Sequence, residues 1–183
     1  LSRPTEDADN LEYCVHCGLA SNYPGTTFDA QGLCSQCRAF EQYRHKVEPY
    51  FKDMDEFEAI LRAAQQKKQG TYDCMVLFSG GKDSTYALAR IADMDLKILA
   101  YTLDNGYISD QAKDNIRRVV AALGVDHIFG TTPHMNAIFA DSLARHSNVC
   151  NGCFKALYTL SMNIARDEGI PCIITGLSRG QQF

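Results

Sequence analysis

Hydrophobic and polar positions divide the chain into three regimes. From residue 1 to about 45 it is rich in turns and cysteine, with little apolar periodicity. From 46 to 70 it turns helical, because Phe57, Ile60, Leu61 and Ala64 recur at the i, i+3, i+4, i+7 spacing of one helix face. Asp53 or Asp55 suits the cap of this helix, Lys67 and Lys68 complement its C-terminal dipole, and Gly70 is a natural stop. From 71 onward, short apolar runs alternate with amphipathic stretches. Residues 74–78, 97–103, 126–129 and 171–175 read as strands, and 83–94, 109–123, 135–145 and 153–168 as helices. The run Cys74-Met75-Val76-Leu77-Phe78 is apolar throughout, as a strand buried on both faces requires. The pattern predicts an α/β fold, a doubly wound parallel sheet over 71–183, preceded by a small cysteine-rich unit (1–45) and a helical linker (46–70).

Composition adds few exclusions. The 183 residues are 45% hydrophobic and 22% charged, which is ordinary globular usage. A net charge of −4 with one small basic cluster, Lys67-Lys68, disfavours nucleic acid as a partner. No apolar run reaches membrane-spanning length and the first residues are polar and acidic, so a cytoplasmic chain is expected. It starts at Leu1 and stops at Phe183 just after a strand and turn, and so reads as a C-terminally truncated piece of a longer polypeptide.

The chemistry concentrates at Ser79-Gly80-Gly81-Lys82-Asp83-Ser84-Thr85, between the first strand and the next helix. Two glycines permit a sharp turn and close backbone approach to a ligand. The helix start offers unpaired N–H groups and partial positive charge to an anion. Ser79, Ser84 and Thr85 add hydroxyls, and Lys82 adds a mobile ammonium. It is not a Walker loop, whose leading glycine would fall at Val76.

This string resembles the signature of PP-loop ATP pyrophosphatases, whose sheet is of the adenine nucleotide alpha hydrolase-like, HUP-type fold. The resemblance implies an enzyme that binds ATP and Mg²⁺, adenylates a substrate oxygen and releases pyrophosphate before a nitrogen or sulfur nucleophile displaces AMP. It implies that Ser79, Lys82 and Asp83 are catalytic and that Ser79 to Thr85 bind nucleotide. Asp104, in the turn Leu103-Asp104-Asn105-Gly106, resembles an acid that relatives place near the nucleotide. A solvated turn explains it equally well. Thr175-Gly176 resembles a second nucleotide turn, but Leu177-Ser178-Arg179 follows where several relatives carry His and Asp, leaving Arg179 as a candidate phosphate contact.

Six of eight cysteines fall in C-x-x-C pairs. Cys14, Cys17, Cys34 and Cys37 have the spacing of two zinc knuckles, with Gly18 and Gly32 as turns, and His16 reads as a bystander. Together with Pro24 to Asp29, Gly32 to Cys34 and Tyr72-Asp73-Cys74, they resemble the front of N-acetyl sugar amidotransferases, which carry a zinc ribbon before the loop. That implies Zn²⁺, a small-molecule or carrier-bound acceptor such as a sugar, and ammonia from a separate glutaminase.

Cys150 precedes the helix predicted at 153–168 and Cys153 lies in its first turn, where thiolate is favoured. Three readings stand: a sulfur carrier or iron–sulfur site as in related sulfurtransferases, with Cys172 a weak third ligand; a second metal or structural thiol pair; or two buried thiols. The first would bring a sulfur-donor partner. Cys74 and Cys172 read as core residues, and His127, His134 and His146 show no ligand spacing. An amidotransferase-like ligase, a sulfurtransferase and a non-catalytic nucleotide-binding module are the functions that fit, and a homodimer is one option for assembly.

Overall fold

The computed structural model describes residues 11–177. They divide into two compact units whose boundary lies between Glu56 and Phe57.

The first unit holds two short antiparallel bridges, Tyr13 with Ala20 and Phe28 with Cys34. Helix α1 (Ser35–Val47) follows, capped by the Cys34 sulfur, which accepts from the Cys37 amide. A 3₁₀ turn, Glu48–Tyr50, comes next. Helix α2 (Met54–Gln65) starts at a reciprocal capping box: Glu56 N–H donates to Asp53 Oδ1 at 2.9 Å, and Asp53 N–H to Glu56 Oε2 at 3.3 Å. Asp53 is therefore the cap, and Asp55 lies in the first turn. The helix ends at Gln65, five residues before Gly70. Gly70 instead passes so close to the Glu168 carbonyl that any side chain there would collide with it.

The second unit builds the sheet. Its elements are β1 (Cys74–Leu77), α3 (Lys82–Ala92), β2 (Ile98–Leu103), α4 (Asp110–Leu123), β3 (Asp126–Gly130), α5 (Met135–His146), α6 (Val149–Asp167) and β4 (Ile173–Thr175). All strand pairs are parallel, in the order β3-β2-β1-β4. β1 and β2 are buried along their whole length, which explains their unbroken apolar runs.

Alternate strand residues feed two cores. Val76, Phe78 and Ala100 join Leu88 and Ile91 of α3 and Ile116 of α4 on one face. Met75, Leu77 and Tyr101 join Met135 of α5 and Ala156 and Ala165 of α6 on the other. The chain moves outward from β1 to β2 and β3, then returns through α5 and α6 to place β4 on the opposite side of β1. β1 and β4 thus flank a topological switch point, where open α/β sheets receive ligands.

Local signals end the helices. Ser109 caps α4 through the Ala112 amide, and Gly124 closes it at φ +65°. Asn148 caps α6 through the Cys150 amide. α6 therefore starts four residues before the predicted 153. Among the described residues, no helix is long and apolar enough to cross a membrane.

Candidate active site and metal centre

β1 delivers Phe78 and then the turn Ser79-Gly80-Gly81 to the switch point. Gly80 takes φ +77°, and a Cβ there would meet Ile116 Cγ1 at 2.6 Å, so both the conformation and the contact with α4 require glycine. Gly81 is the N-cap of α3, and no side chain caps that helix. Its first-turn residues Lys82, Asp83 and Ser84 line a cavity of about 540 Å³. An uncapped helix start opening into a cavity suits an anion.

Two hydroxyls brace the loop. Ser84 Oγ donates to Gly81 O at 3.1 Å, so its single proton is committed and the Ser79 hydroxyl, 3.0 Å away, donates to it. Ser79 N–H also donates to Ser84 Oγ at 3.3 Å, and Gly81 N–H to Ser79 Oγ at 3.4 Å. Lys82 Nζ lies 2.7 Å from Asp83 Oδ1, with both side chains exposed. Asp83 is the one acid among the residues lining the cavity, and Thr85 lies outside that lining.

Gly176 closes the cavity from β4. The second expected nucleotide turn therefore stands beside the first, while Arg179 falls outside the described residues. Asp104 does not line the cavity. Its carboxylate pairs with Lys113 Nζ at 2.6 Å and accepts from Gly106 N–H at 3.0 Å, and Lys113 foremost holds it below the usual carboxylate range. Its neighbour Asn105 lines the cavity instead.

Cys153 also lines the cavity, beside Phe154 and Leu157 of α6. Its Sγ lies 3.9 Å from Asn105 Nδ2. Cys150, one turn earlier, is exposed. Among the described residues, no third Cys, His or carboxylate gathers with this pair. Cys172 lies toward the far end of β1, its Sγ 3.8 Å from Asp73 O. Burial raises its pKa, and pushes the Cys74 thiol up to about 12. A further cavity, of about 580 Å³, lies between α5 and α6 and contains none of the loop residues.

In the first unit, the sulfurs of Cys14, Cys17, Cys34 and Cys37 all lie within 4.8 Å of one another. Cys14 and Cys37 stand 3.8 Å apart, and Cys17 and Cys34 3.7 Å apart. A tetrahedron of sulfurs at zinc–thiolate distance has edges of about 3.8 Å. Backbone amides support the thiolates: Cys34 N–H donates to Cys14 Sγ at 3.3 Å and Cys37 N–H to Cys34 Sγ at 3.4 Å. The Cys17 amide foremost draws the Cys14 pKa down to about 6. Hydrogen bonding to the Cys17 thiol, then burial, push Cys37 up. Four crowded thiols that resist ionising together are what a bound cation relieves, so the cluster fits a metal. His16 Nδ1 lies 3.5 Å from Cys37 Sγ, beside the ligand set.

Residues 73–173, more than half of the chain, match the family model of queuosine biosynthesis protein QueC, a family of PP-loop ATP pyrophosphatases. The chain belongs to this family. It is 26% identical over 164 residues to the Methanocaldococcus jannaschii protein MJ1599, itself uncharacterised, covering 89% of this chain and 57% of that one. Among solved structures, it resembles the NH3-dependent NAD synthetase of Campylobacter jejuni, at 14% identity, 66% and 56% coverage and a TM-score of 0.47. The NMN synthetase of Francisella tularensis aligns at 16% identity, 67% and 53% coverage and a TM-score of 0.45. A predicted subunit of tRNA methyltransferase from Methanocaldococcus jannaschii aligns at 22% identity, 58% and 53% coverage and a TM-score of 0.44. The chain spans a little over half the length of each of these proteins.

PP-loop ATP pyrophosphatases use ATP, and the string Ser79 to Thr85 lies at the switch point, the kind of place where open α/β sheets receive ligands. The turn's sequence points to Asp104, whereas Asn105 is the residue that reaches the cavity. The alternation of β2 carries the missing signal: Tyr101 and Leu103 point to one core, and the turn that follows brings Asn105 back over the sheet's end. Thr102 and His127, hydrogen-bonded at 2.9 Å beside the loop, gave no motif at all.

Proposed function

We propose that this chain is the catalytic core of an ATP-dependent ligase of amidotransferase type, which adenylates a carbonyl or amide oxygen for displacement by ammonia. The observation that carries the reading is the uncapped start of α3, whose residues line the cavity at the β1–β4 switch point. In the first half-reaction the acceptor oxygen bonds to the α-phosphorus and the bridge to the β-phosphate breaks. The α3 amides and Lys82 hold the departing pyrophosphate, and the Ser79 and Ser84 hydroxyls brace the loop that presents them. Asp83, the acid in the lining, is the carboxylate that would hold Mg²⁺. Mg²⁺ supplies charge neutralisation on the phosphates. In the second half-reaction ammonia bonds the activated carbon, gives up a proton, and AMP departs with the oxygen.

The likeness of residues 13–37 and 72–74 to sugar amidotransferases supports a sugar acceptor, free or carrier-bound, and a glutaminase partner as the ammonia source. The four-cysteine cluster we read as a closed structural zinc site, with no position left for a reacting ligand. A cytoplasmic setting, which keeps cysteine reduced, and assembly with a second copy belong to this reading. Incubation of the full protein with MgATP, ammonium and N-acetylated sugars tests the reading. Equal amounts of AMP and pyrophosphate with nitrogen in the product support it, and ADP with phosphate contradicts it.

One observation favours a second reading. Cys153 lines the same cavity, so the nucleophile displacing AMP would be sulfur carried by this thiol rather than ammonia. A sulfur-bearing product, lost in Cys153→Ala, would favour this over the amidotransferase. Tight ATP binding without any pyrophosphate release would favour a nucleotide-binding module.

A further inference from the structure

We propose that Thr102, held by His127, is a positioning residue that sets the phosphate loop from outside the groups that touch nucleotide. The inference rests on the reading of that loop as the triphosphate site. Its basis is one peptide unit, the Phe78 carbonyl with the Ser79 N–H. The N–H side is tied to the start of α3, donating to Ser84 Oγ at 3.3 Å. The carbonyl side is tied to β2, accepting a short hydrogen bond from Thr102 Oγ1 at 2.5 Å. The plane on which the loop pivots is therefore fixed at both edges.

Proton counting fixes the third partner. A carbonyl can only accept, so the single Thr102 hydroxyl proton points to Phe78 O. His127 Nε2, 2.9 Å from the same oxygen, must then carry a proton and donate, which selects one imidazole tautomer. The ring is held against Phe129, edge on at 4.6 Å between centroids. Phe78 approaches it edge on at 6.5 Å. A locked ring orients a hydroxyl, and the hydroxyl orients the carbonyl. Thr102 lies in the cavity wall but is almost wholly buried, and its proton is committed to Phe78. It acts on the nucleotide through the loop.

Removing the hydroxyl orphans a buried carbonyl, which regains a partner only by rotating the 78–79 peptide. That rotation carries the Ser79 N–H away from Ser84 and opens the brace across the loop.

Titration of the full protein with MgATP tests this. Thr102→Val, similar in shape, should lose about ten-fold in affinity, the scale of one orphaned buried carbonyl. Thr102→Ser, which restores the donor, should recover it. His127→Leu should weaken binding too, while His127→Gln, which keeps a donor, should weaken it less. In the double variant with Thr102→Val and His127→Leu the losses should not add, because both cut one chain of bonds. A folded Thr102→Val protein with wild-type affinity, or two losses that add in full, would overturn the proposal. If Thr102→Val fails to fold, His127→Leu decides alone, since wild-type affinity there also overturns it. Wild-type protein that binds no MgATP would instead remove the loop reading itself, and this inference with it.

Discussion

Gly176, just after β4, packs so closely on the start of α3 that a Cβ there would stand 2.9 Å from Ser84 Cα and 3.2 Å from Ser84 N. The two turns at the switch point are thus one packed unit, and the cavity takes its shape from their contact. Gly176→Ala should push the β4 turn off α3, because the clash is with backbone that cannot swing away. Nucleotide affinity is expected to drop at least ten-fold, with a loss of stability of roughly 1–3 kcal/mol for overpacking. Urea unfolding and MgATP titration on one preparation check it.

Gly80→Ala combines a left-handed backbone with a Cβ 2.6 Å from Ile116 Cγ1. The conformation alone costs roughly 1–2 kcal/mol. Pairing it with Ile116→Val should return little of the loss, because valine keeps Cγ1 and the φ +77° strain stays in place. Thermal unfolding of both variants measures this.

The two α6 thiols differ in where they face. Cys153 lines the cavity and Cys150 is exposed outside it. MgATP should slow alkylation of Cys153 by iodoacetamide several-fold and leave Cys150 unchanged, as read by mass spectrometry of tryptic peptides. Equal rates at Cys153 with and without nucleotide would separate the thiol from the nucleotide site.

His127 gives a pH signature. Burial, then the Arg117 charge, lower its pKa in the folded protein. The unfolded chain, with an ordinary value near 6.5, therefore binds the proton more readily as pH falls. The stability contributed by neutral His127 is fully present above about pH 6.5 and is lost as pH drops from there toward the lower folded value. His127→Gln should flatten the urea midpoint between about pH 7.5 and about pH 5, while Asp73 and Asp104, whose pKa values are lowered, stay ionised.

Chelation addresses the cysteine centre. The first unit has few buried apolar residues, and α1 buries none. A metal held by the four cysteines would therefore supply much of its folding energy. Metal analysis should find a single zinc, and its removal or Cys34→Ser should unfold the unit while the 57–183 unit keeps its circular dichroism.

What the sequence revealed follows burial. β1 and β2, covered on both faces, announced themselves as apolar runs, and α4 by its Ser109 cap and Gly124 stop. α1 was silent because it buries no residue and so has no apolar period to read. The start of α6 was hidden for another reason. Cys150-Asn151-Gly152-Cys153 looks like a turn, yet Gly152 sits within the helix because a Cβ there would press 2.8 Å from Ile138 of α5. The loop was legible because glycine, hydroxyl and lysine are each needed at fixed places. Asn105, Thr102 and His127 reach the site only through strand register, which no local string encodes.

The central claim is that residues 79–85 hold a triphosphate with backbone amides and one ammonium. Amide chemical shifts of isotope-labelled protein, followed during a MgATP titration, test it most directly. The account predicts that the amides of Gly80 to Ser84 and Gly176 move most, and that Lys82→Ala weakens the response. Saturable binding with those amides unmoved, and the largest shifts elsewhere, would contradict it.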